Sequence, residues 1–283
     1  MLGVYGLINS DGMVNYTEAK MASLSVWWEP VAVKSDQCWR YSVGPLQLYL
    51  QRREQDWLIG WQEREDIEAH HWAGVEQIDE IPLGLETERF VFQSVPDHFC
   101  LKPCLLDRPV VVKNLQPVHL PPDAHITFYI SSPVCVAVEL FKPVIQAKVI
   151  PTLRLSDTWF GPSTREGEFC YAARTHARSS VHELPKRPHR AVTPVTVYNH
   201  SHEVMTIDKL SIPVPYLCVY GTAEGMLWTD PVSLKHTAGS SLSVLEVGKH
   251  LPSAMVQATR LTEPRMTVQR GSLVRAFASM FSH

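Results

Sequence analysis

Apolar and polar residues alternate with a period of two along much of this chain. In Leu46–Gln51 every second residue is a leucine, and the polar run Arg53–Asp56 follows it. The apolar run Trp57–Trp61 comes next. Because successive side chains on a strand point to opposite faces, this pattern predicts two strands joined as a β-hairpin.

Short segments of the same kind recur through the rest of the chain. The predicted strands are Phe90–Gln93, Val110–Val112, Ile126–Ile130, Cys135–Leu140, Val195–Tyr198, Met205–Asp208, Tyr216–Tyr220, Met226–Thr229, Val232–Lys235 and Leu242–Val247. The chain also holds 21 prolines, a residue that collects in turns and at sheet edges. Short strands at this spacing predict a mostly-β fold rather than βαβ units.

We expect the strands to form two packed β-sandwich-like lobes. The segment 145–150 joins two strand-rich halves, so the predicted N-terminal lobe spans 21–147 and the predicted C-terminal lobe spans 148–283. Ligand clefts favour such junctions.

Both ends of the chain depart from the strand pattern. Residues 1–20 have no clear period and Met21 opens a more regular segment, so we expect 1–20 to be a disordered extension. Ser272 could cap a short C-terminal helix, because apolar side chains recur at helical spacing from Leu273 to Phe281.

Composition narrows the class of protein. A chain of 283 residues that is 45% hydrophobic can build one large domain or two ordinary ones. The net charge is −3 and the one basic cluster, 186–190, is short and interrupted by proline, so we expect no nucleic-acid partner. No apolar run reaches the roughly 18–20 residues that a transmembrane segment needs. The start lacks the features of a signal peptide, so we expect a cytoplasmic protein with its six cysteines as thiols.

The segment 154–176 concentrates charged and aromatic residues without clean alternation. Its guanidinium groups suit carboxylate or phosphate, and its rings could wall a pocket or stack on a planar ligand. An internal salt-bridge network needs the same residue types, and we place that structural interpretation first. The candidate ligand-binding residues are Arg154, Asp157, Trp159, Arg165, Glu168, Tyr171 and Arg174.

Motifs for the common enzyme classes are missing from the sequence. It has no Gly-x-Ser-x-Gly elbow, no phosphate-binding loop and no dinucleotide Gly-x-Gly-x-x-Gly, so we expect no cofactor. We therefore lean towards a non-enzymatic protein. The alternative is a hydrolase that uses Asp157, Glu168 and His176 as acid–base groups, with or without a metal.

Only one group of residues has spacing suggestive of a metal site. His98, Cys100 and Cys104 lie close together, but a tetrahedral zinc site needs four ligands. No matching second pair is evident, and His119 and His125 are possible but loosely placed ligands. We expect no metal, and these three residues are the only candidates.

Three runs resemble one known family. Pro151–Ala172, Arg190–Asn199 and Leu210–Leu217 are similar to an uncharacterised prokaryotic family, domain of unknown function 432. The resemblance covers roughly residues 21–250. It implies a soluble prokaryotic protein whose distinctive stretch is 154–176, and it supplies no catalytic residues because the family has no assigned activity.

The leading functional hypothesis is therefore binding rather than catalysis. We expect a protein partner or a small anionic ligand at the junction of the lobes, held by Arg154, Arg165, Arg174 and Trp159. Association with further copies through exposed strand edges is a third possibility.

Overall fold

The computed structural model describes most of the chain. The described residues are 22–24, 26–65, 73–141, 144–161, 165–181, 184–238, 243–248, 257–267, 273–274 and 276. The predicted disordered extension, 1–20, lies outside them. The described part is mostly β, as predicted, with a 3-10 helix at Val214–Tyr216 and no α-helix.

The strands are numbered in chain order. They are β1 Ala22–Leu24, β2 Val31–Ala32, β3 Cys38–Val43, β4 Leu46–Arg52, β5 Asp56–Glu63, β6 Ala73–Ile78, β7 Glu86–Val91, β8 His98–Cys104, β9 Val110–Leu120, β10 His125–Pro133, β11 Cys135–Phe141, β12 Ile145–Pro151, β13 Ser156–Phe160, β14 Glu168–His176, β15 Arg190–Asn199, β16 Met205–Ile212, β17 Val219–Gly221, β18 Leu227–Thr229, β19 Val232–His236, β20 Ser243–Val247, β21 Thr259–Thr262 and β22 Leu273–Val274. Each strand predicted from the sequence overlaps one of these.

Four sheets are formed within the described residues. The first is antiparallel, in the order β1-β6-β3-β4-β5-β7, and contains the predicted β4–β5 hairpin with Leu48 opposite Trp61. The second has the order β12-β11-β8-β2. The third, β13-β14-β9-β16, includes the parallel pair β14–β9. The fourth has the order β21-β17-β18-β15-β19-β20-β22, with β10 also paired to β15.

One large apolar core connects these sheets. Its members come from every sheet and are buried, because strands of each sheet turn apolar residues to a common interior. Representative members are Leu48, Trp57, Phe99, Val112, Val136, Val195, Leu210 and Leu234.

The predicted boundary between residues 147 and 148 falls inside β12. That strand pairs along its length with β11, from Ile145 opposite Leu140 to Pro151 opposite Cys135. The division into two sandwich-like lobes therefore stays a prediction, with its boundary placed within a paired strand.

The predicted C-terminal helix is not found where it should begin. Leu273 and Val274 form strand β22, opposite Val244 and Ser243 of β20. The edge of β20 offers backbone partners that a helix could not use, and such tertiary pairing overrides local periodicity. The rest of the predicted helix, 277–283, lies outside the described residues.

Gly44 turns the chain between β3 and β4. Its φ of +58° lies in the left-handed region that glycine adopts freely. A Cβ atom at this position would lie 2.2 Å from Nδ1 of the buried His189, which is far inside van der Waals contact. The missing side chain therefore allows the first sheet to pack against residues much later in the chain.

None of the helices in the described part of the chain has the length and apolar character needed to cross a membrane.

Candidate functional site

The distinctive segment 154–176 folds largely as a hairpin of β13 and β14. Asp157 lies opposite Tyr171, and Trp159 lies opposite Phe169. These four side chains share one face of the sheet, while Cys170 is buried on the other face. The sequence pattern looked irregular because Trp, Phe and Tyr, which usually mark a core, stand here on the more exposed face.

Arg108 binds this face from outside the segment. Its Nη1 lies 3.0 Å from Oδ1 of Asp157. The guanidinium carbon lies 4.5 Å from the ring centroid of Phe169 and 5.2 Å from that of Tyr171. One guanidinium therefore combines an ion pair with two cation–π contacts, which fix its plane.

Parallel pairing of β14 with β9 brings Arg108 to this position. The amide N–H of Tyr171 donates to the carbonyl of Pro109 at 2.9 Å, at the point where the chain enters β9. The hydroxyl of Tyr171 also donates to Oδ1 of Asp107 at 2.9 Å. Burial, together with this hydrogen bond to Asp107, raises the pKa of Tyr171. The phenol therefore stays protonated and keeps donating.

A cavity of about 550 Å3 opens beside Arg108. Its volume is within the range of sites that bind small molecules. Apolar side chains, among them Leu46, Leu106 and Ile150, form part of its wall. The polar and charged lining consists chiefly of Glu63, Glu86, Arg108, Arg154, Asp157 and Tyr171.

Arg154 differs from Arg108 in its surroundings. Its backbone N–H donates to Oε2 of Glu63 at 3.2 Å, which anchors the main chain at the rim of the cavity. Within the described ranges, no carboxylate forms an ion pair with its exposed guanidinium. The fork of N–H donors is therefore available to an acceptor that enters the cavity.

Trp61 contributes an aromatic surface to the same cavity. The ammonium of Lys148 lies 4.7 Å from the Trp61 ring centroid and also forms an ion pair with Glu88. The indole face on the Lys148 side is therefore already occupied by a cation.

The outer end of the hairpin presents two exposed rings. Trp159 and Phe169 each keep 47% of their surface exposed, although they are large and apolar. A Cβ atom at Gly167 would lie 2.3 Å from Nε1 of Trp159, so the indole packs directly on the glycine backbone. The two rings lie on the same sheet face as Asp157 and Tyr171, and they continue that face in the direction away from the cavity.

Three of the seven predicted ligand-binding residues line the cavity, namely Arg154, Asp157 and Tyr171. Trp159 lies on the same sheet face. Arg165 and Glu168 are exposed, and neither is without an interaction partner. The backbone of Arg174 belongs to β14, but its side chain lies outside the described part.

The acid–base set of the hydrolase alternative is not brought together. Glu168 and His176 are the first and last residues of β14, which at about 3.3 Å per residue separates them by roughly 26 Å. Nδ1 of His176 lies 3.0 Å from the carbonyl oxygen of Lys113, away from Asp157. These three side chains cannot act on one bond in this arrangement, so the hydrolase alternative stays a prediction without geometric support.

The metal candidates are likewise spread along one strand. His98 and Cys104 are the two ends of β8, roughly 20 Å apart at about 3.3 Å per residue, far beyond the reach of one ion. Nδ1 of His98 lies 2.7 Å from Oδ1 of Asp97, and Cys100 donates to the carbonyl of Trp28 at 3.1 Å. No group of three or more potential metal ligands occurs in the residues that the structure describes.

Several lining residues were missed by sequence analysis, namely Trp61, Glu63, Glu86 and Arg108. A usable signal existed for Arg108, since Asp107 and Arg108 form a charged pair between an apolar run and Pro109. Glu63 and Glu86 stand on strands of the first sheet, and nothing local distinguishes them from other exposed strand residues.

Comparison with known proteins gives one match. The model of the family described as "Protein of unknown function (DUF432)" matches residues 27–281, which confirms the resemblance inferred from the three sequence runs. Neither the curated proteins nor the solved structures contain a significant match.

Proposed function

We propose that this chain, which belongs to the DUF432 family, is a non-enzymatic binding protein. Its site is the cavity beside Arg108 and Arg154, and its ligand is a small molecule that carries an anionic group. The observation that carries the proposal is that Arg154 lines the cavity and that its guanidinium has no carboxylate partner among the described residues.

The two cavity arginines would have different roles. Arg108 is held by Asp157 and by the rings of Phe169 and Tyr171, so it supplies a fixed positive wall. Arg154 is the group that contacts the ligand, because its donors are not used by a described carboxylate. Arginine recognises carboxylate and phosphate through paired N–H donors, and either group fits this proposal.

The carboxylates of the cavity narrow the chemical class of the ligand further. Glu63 and Glu86 line it together with Asp157, so the wall holds three acidic side chains against two arginines. A purely anionic ligand would be repelled by the acidic side of this wall. We therefore propose a ligand that also carries hydrogen-bond donors, such as an ammonium or hydroxyl group, on the side opposite its anionic group.

The division of the chain into two sandwich-like lobes remains part of this proposal. Residues on both sides of the predicted boundary contribute to the cavity, with Glu63 and Arg108 before it and Arg154 and Tyr171 after it. A ligand at this place would contact both halves, as expected for a site at a junction.

A thermal-shift screen with defined probes tests the proposal. Glutamate carries an anionic group together with an ammonium, citrate carries only carboxylates and a hydroxyl, and inorganic phosphate is an anion alone. A ligand at a hundred times its Kd stabilises the folded state by about 2.7 kcal/mol, which a melt resolves easily. We expect glutamate-like probes to stabilise the wild type more than phosphate does.

Two variants test whether the probes that raise the melting temperature bind in the cavity. Arg154→Ala should abolish the shift, whereas Arg260→Ala, which alters an exposed arginine that does not line the cavity, should retain it. A shift of equal size in both variants would place binding elsewhere and contradict the proposal. Consumption of a stabilising probe during incubation would contradict the non-enzymatic part.

The exposed rings of Trp159 and Phe169 favour a second candidate, a protein partner. Exposed aromatic pairs are typical of interface centres. A second copy of the chain is the simplest partner to test, by light scattering after size-exclusion chromatography over a range of concentrations. We expect Trp159→Ser to reduce any association of the wild type, and a monomer at every concentration would remove the second copy as partner.

A further inference from the structure

Two cysteines face each other across neighbouring strands. Cys104, the last residue of β8, is the direct antiparallel partner of Cys135, the first residue of β11. Side chains of such partners lie on the same face of a sheet, with Cβ atoms about 4.5–5.5 Å apart. The two thiols are therefore close enough for each to influence the pKa of the other.

An arginine from the far end of the chain binds this pair. Nη2 of Arg265 lies 3.6 Å from Sγ of Cys104, and its Nε donates to the carbonyl of Leu105 at 2.6 Å. The second contact holds the guanidinium in place, so a positive charge stays beside the sulfur of Cys104.

The surroundings make the two thiols unequal. The hydrogen bond from Cys135 and the charge of Arg265 lower the pKa of Cys104, although burial and Glu139 oppose this. The hydrogen bond to Cys104 and burial raise the pKa of Cys135. An asymmetric pair of this kind has one sulfur suited to attack and one suited to resolve the product.

We propose that Cys104 and Cys135 form a reversible oxidation site that reacts with hydroperoxides. The Cys104 thiolate attacks one peroxide oxygen, so that an S–O bond forms, the O–O bond breaks, and the other oxygen leaves and takes a proton. The sulfur of Cys135 then attacks the sulfur of Cys104. An S–S bond forms, the S–O bond breaks, and the hydroxide leaves as water with the proton of Cys135.

The peroxide accepts the two electrons that the thiols lose. Two thiols are oxidised to one disulfide, and one hydrogen peroxide is reduced to two waters. A dithiol reductant reverses the modification by thiol–disulfide exchange.

The sheet can accommodate this bond. A disulfide needs Cα atoms about 4.4–6.8 Å apart, and direct antiparallel partners lie about 4.5–5.5 Å apart. Cys104 and Cys135 each retain 6% of their surface exposed, compared with none for Cys38 and Cys170 and 9% for Cys218, so their pairing and not their exposure sets them apart. Because the two strands already hold the pair at this spacing, oxidation can join the cysteines without unfolding β8 or β11.

The remaining cysteines provide an internal comparison. Burial raises the pKa of four of them to about 11, which suppresses their thiolates near neutral pH. These four thiols are Cys38, Cys100, Cys170 and Cys218.

Peptide mapping by mass spectrometry tests the proposal. Folded full-length protein is treated with hydrogen peroxide, denatured, alkylated without reductant and digested. We expect a disulfide between Cys104 and Cys135 as the main product, lost after treatment with dithiothreitol, and the other four cysteines alkylated. Absence of this disulfide, or equal oxidation of the buried four, would overturn the proposal.

Three variants separate the roles of the residues. Cys135→Ser should yield a sulfenic acid at Cys104 that dimedone traps. Arg265→Gln should slow disulfide formation roughly tenfold, because the charge that favours the thiolate is lost. The matched variant Arg260→Gln should react at the wild-type rate. Equal rates in Arg265→Gln and Arg260→Gln would refute the role of Arg265. If Arg265→Gln fails to fold, the trapping of Cys104 in Cys135→Ser still tests the site.

Discussion

Nη1 of Arg108 lies 3.0 Å from Oδ1 of Asp157, although 49 residues separate the two in the chain. The pair stands at the edge of the cavity, on the face of β13 and β14 that also carries Phe169 and Tyr171. The charged segment singled out by the sequence is therefore in part a structural network, with Arg108 as its partner. The same cavity holds Arg154, which that network does not use.

The stacking of Arg108 can be separated from its charge by the substitution Arg108→Lys. Lysine keeps the ion pair with Asp157 but loses the planar stacking on the rings, so we expect a loss of about 1 kcal/mol in the free energy of unfolding. Urea denaturation measures this. Arg260→Lys is the control, since Arg260 is exposed and its ion-pair partner among the described residues is Glu263. Equal losses in both variants would mean that the rings contribute nothing.

Arg154→Ala distinguishes a ligand contact from a structural one. The side chain is exposed and has no described ion-pair partner, so the free energy of unfolding should change by less than about 0.5 kcal/mol. If Arg154 were instead part of a buried ion pair, its removal would leave the partner charge unpaired and lower the free energy of unfolding by about 3 kcal/mol or more. Thermal and urea melts of the purified variant decide between these values, and the larger loss would assign Arg154 to the network.

Gly44→Ala should be strongly destabilising. The substitution forces alanine into a φ of +58° and places its Cβ 2.2 Å from the His189 ring, so we expect a loss of about 2–4 kcal/mol. Gly84→Ala is the matched control, because Gly84 also has a positive φ, of +86°, but nothing within 4 Å of the added carbon. Similar losses in urea melts would show that backbone strain alone is responsible.

Alkaline pH should destabilise the protein through its buried thiols. Burial raises the pKa of Cys38, Cys100 and Cys170 from 9.0 to about 11 in the folded state. Between these values the unfolded chain releases protons that the folded chain retains, so the free energy of unfolding falls as the pH rises from 9 towards 11. Below pH 9 both states keep the proton and these groups cause no pH dependence.

Urea denaturation at about pH 8 and about pH 10.5 measures this effect. Cys38→Val removes one of the titrating groups, so its stability should fall less between the two pH values than that of the wild type. A steeper fall in Cys38→Val would contradict the assignment of the pH dependence to the thiol.

Local patterns predicted those features that depend on neighbours in the chain. The β4–β5 hairpin follows from alternation around a polar turn, since strand periodicity and turn chemistry are properties of a few consecutive residues. The segment 154–176 attracted attention because its charges and rings exceed what a connection needs. Three of its seven predicted ligand-binding residues, Arg154, Asp157 and Tyr171, then proved to line one cavity.

Pairing between distant strands decided the rest. Arg108 meets Asp157 and Tyr171 because β14 pairs with β9 in parallel, and Cys104 meets Cys135 because β8 pairs with β11. Leu273 begins a run of apolar residues with helical spacing in the sequence, but Leu273 and Val274 pair with β20 as a strand. By itself the sequence determined that the fold is mostly β and where strands with clear alternation, such as β4, β5 and β11, lie. The order of strands in each sheet depends on burial and hydrogen bonding summed over the whole chain, so only the tertiary structure decided which side chains share a site.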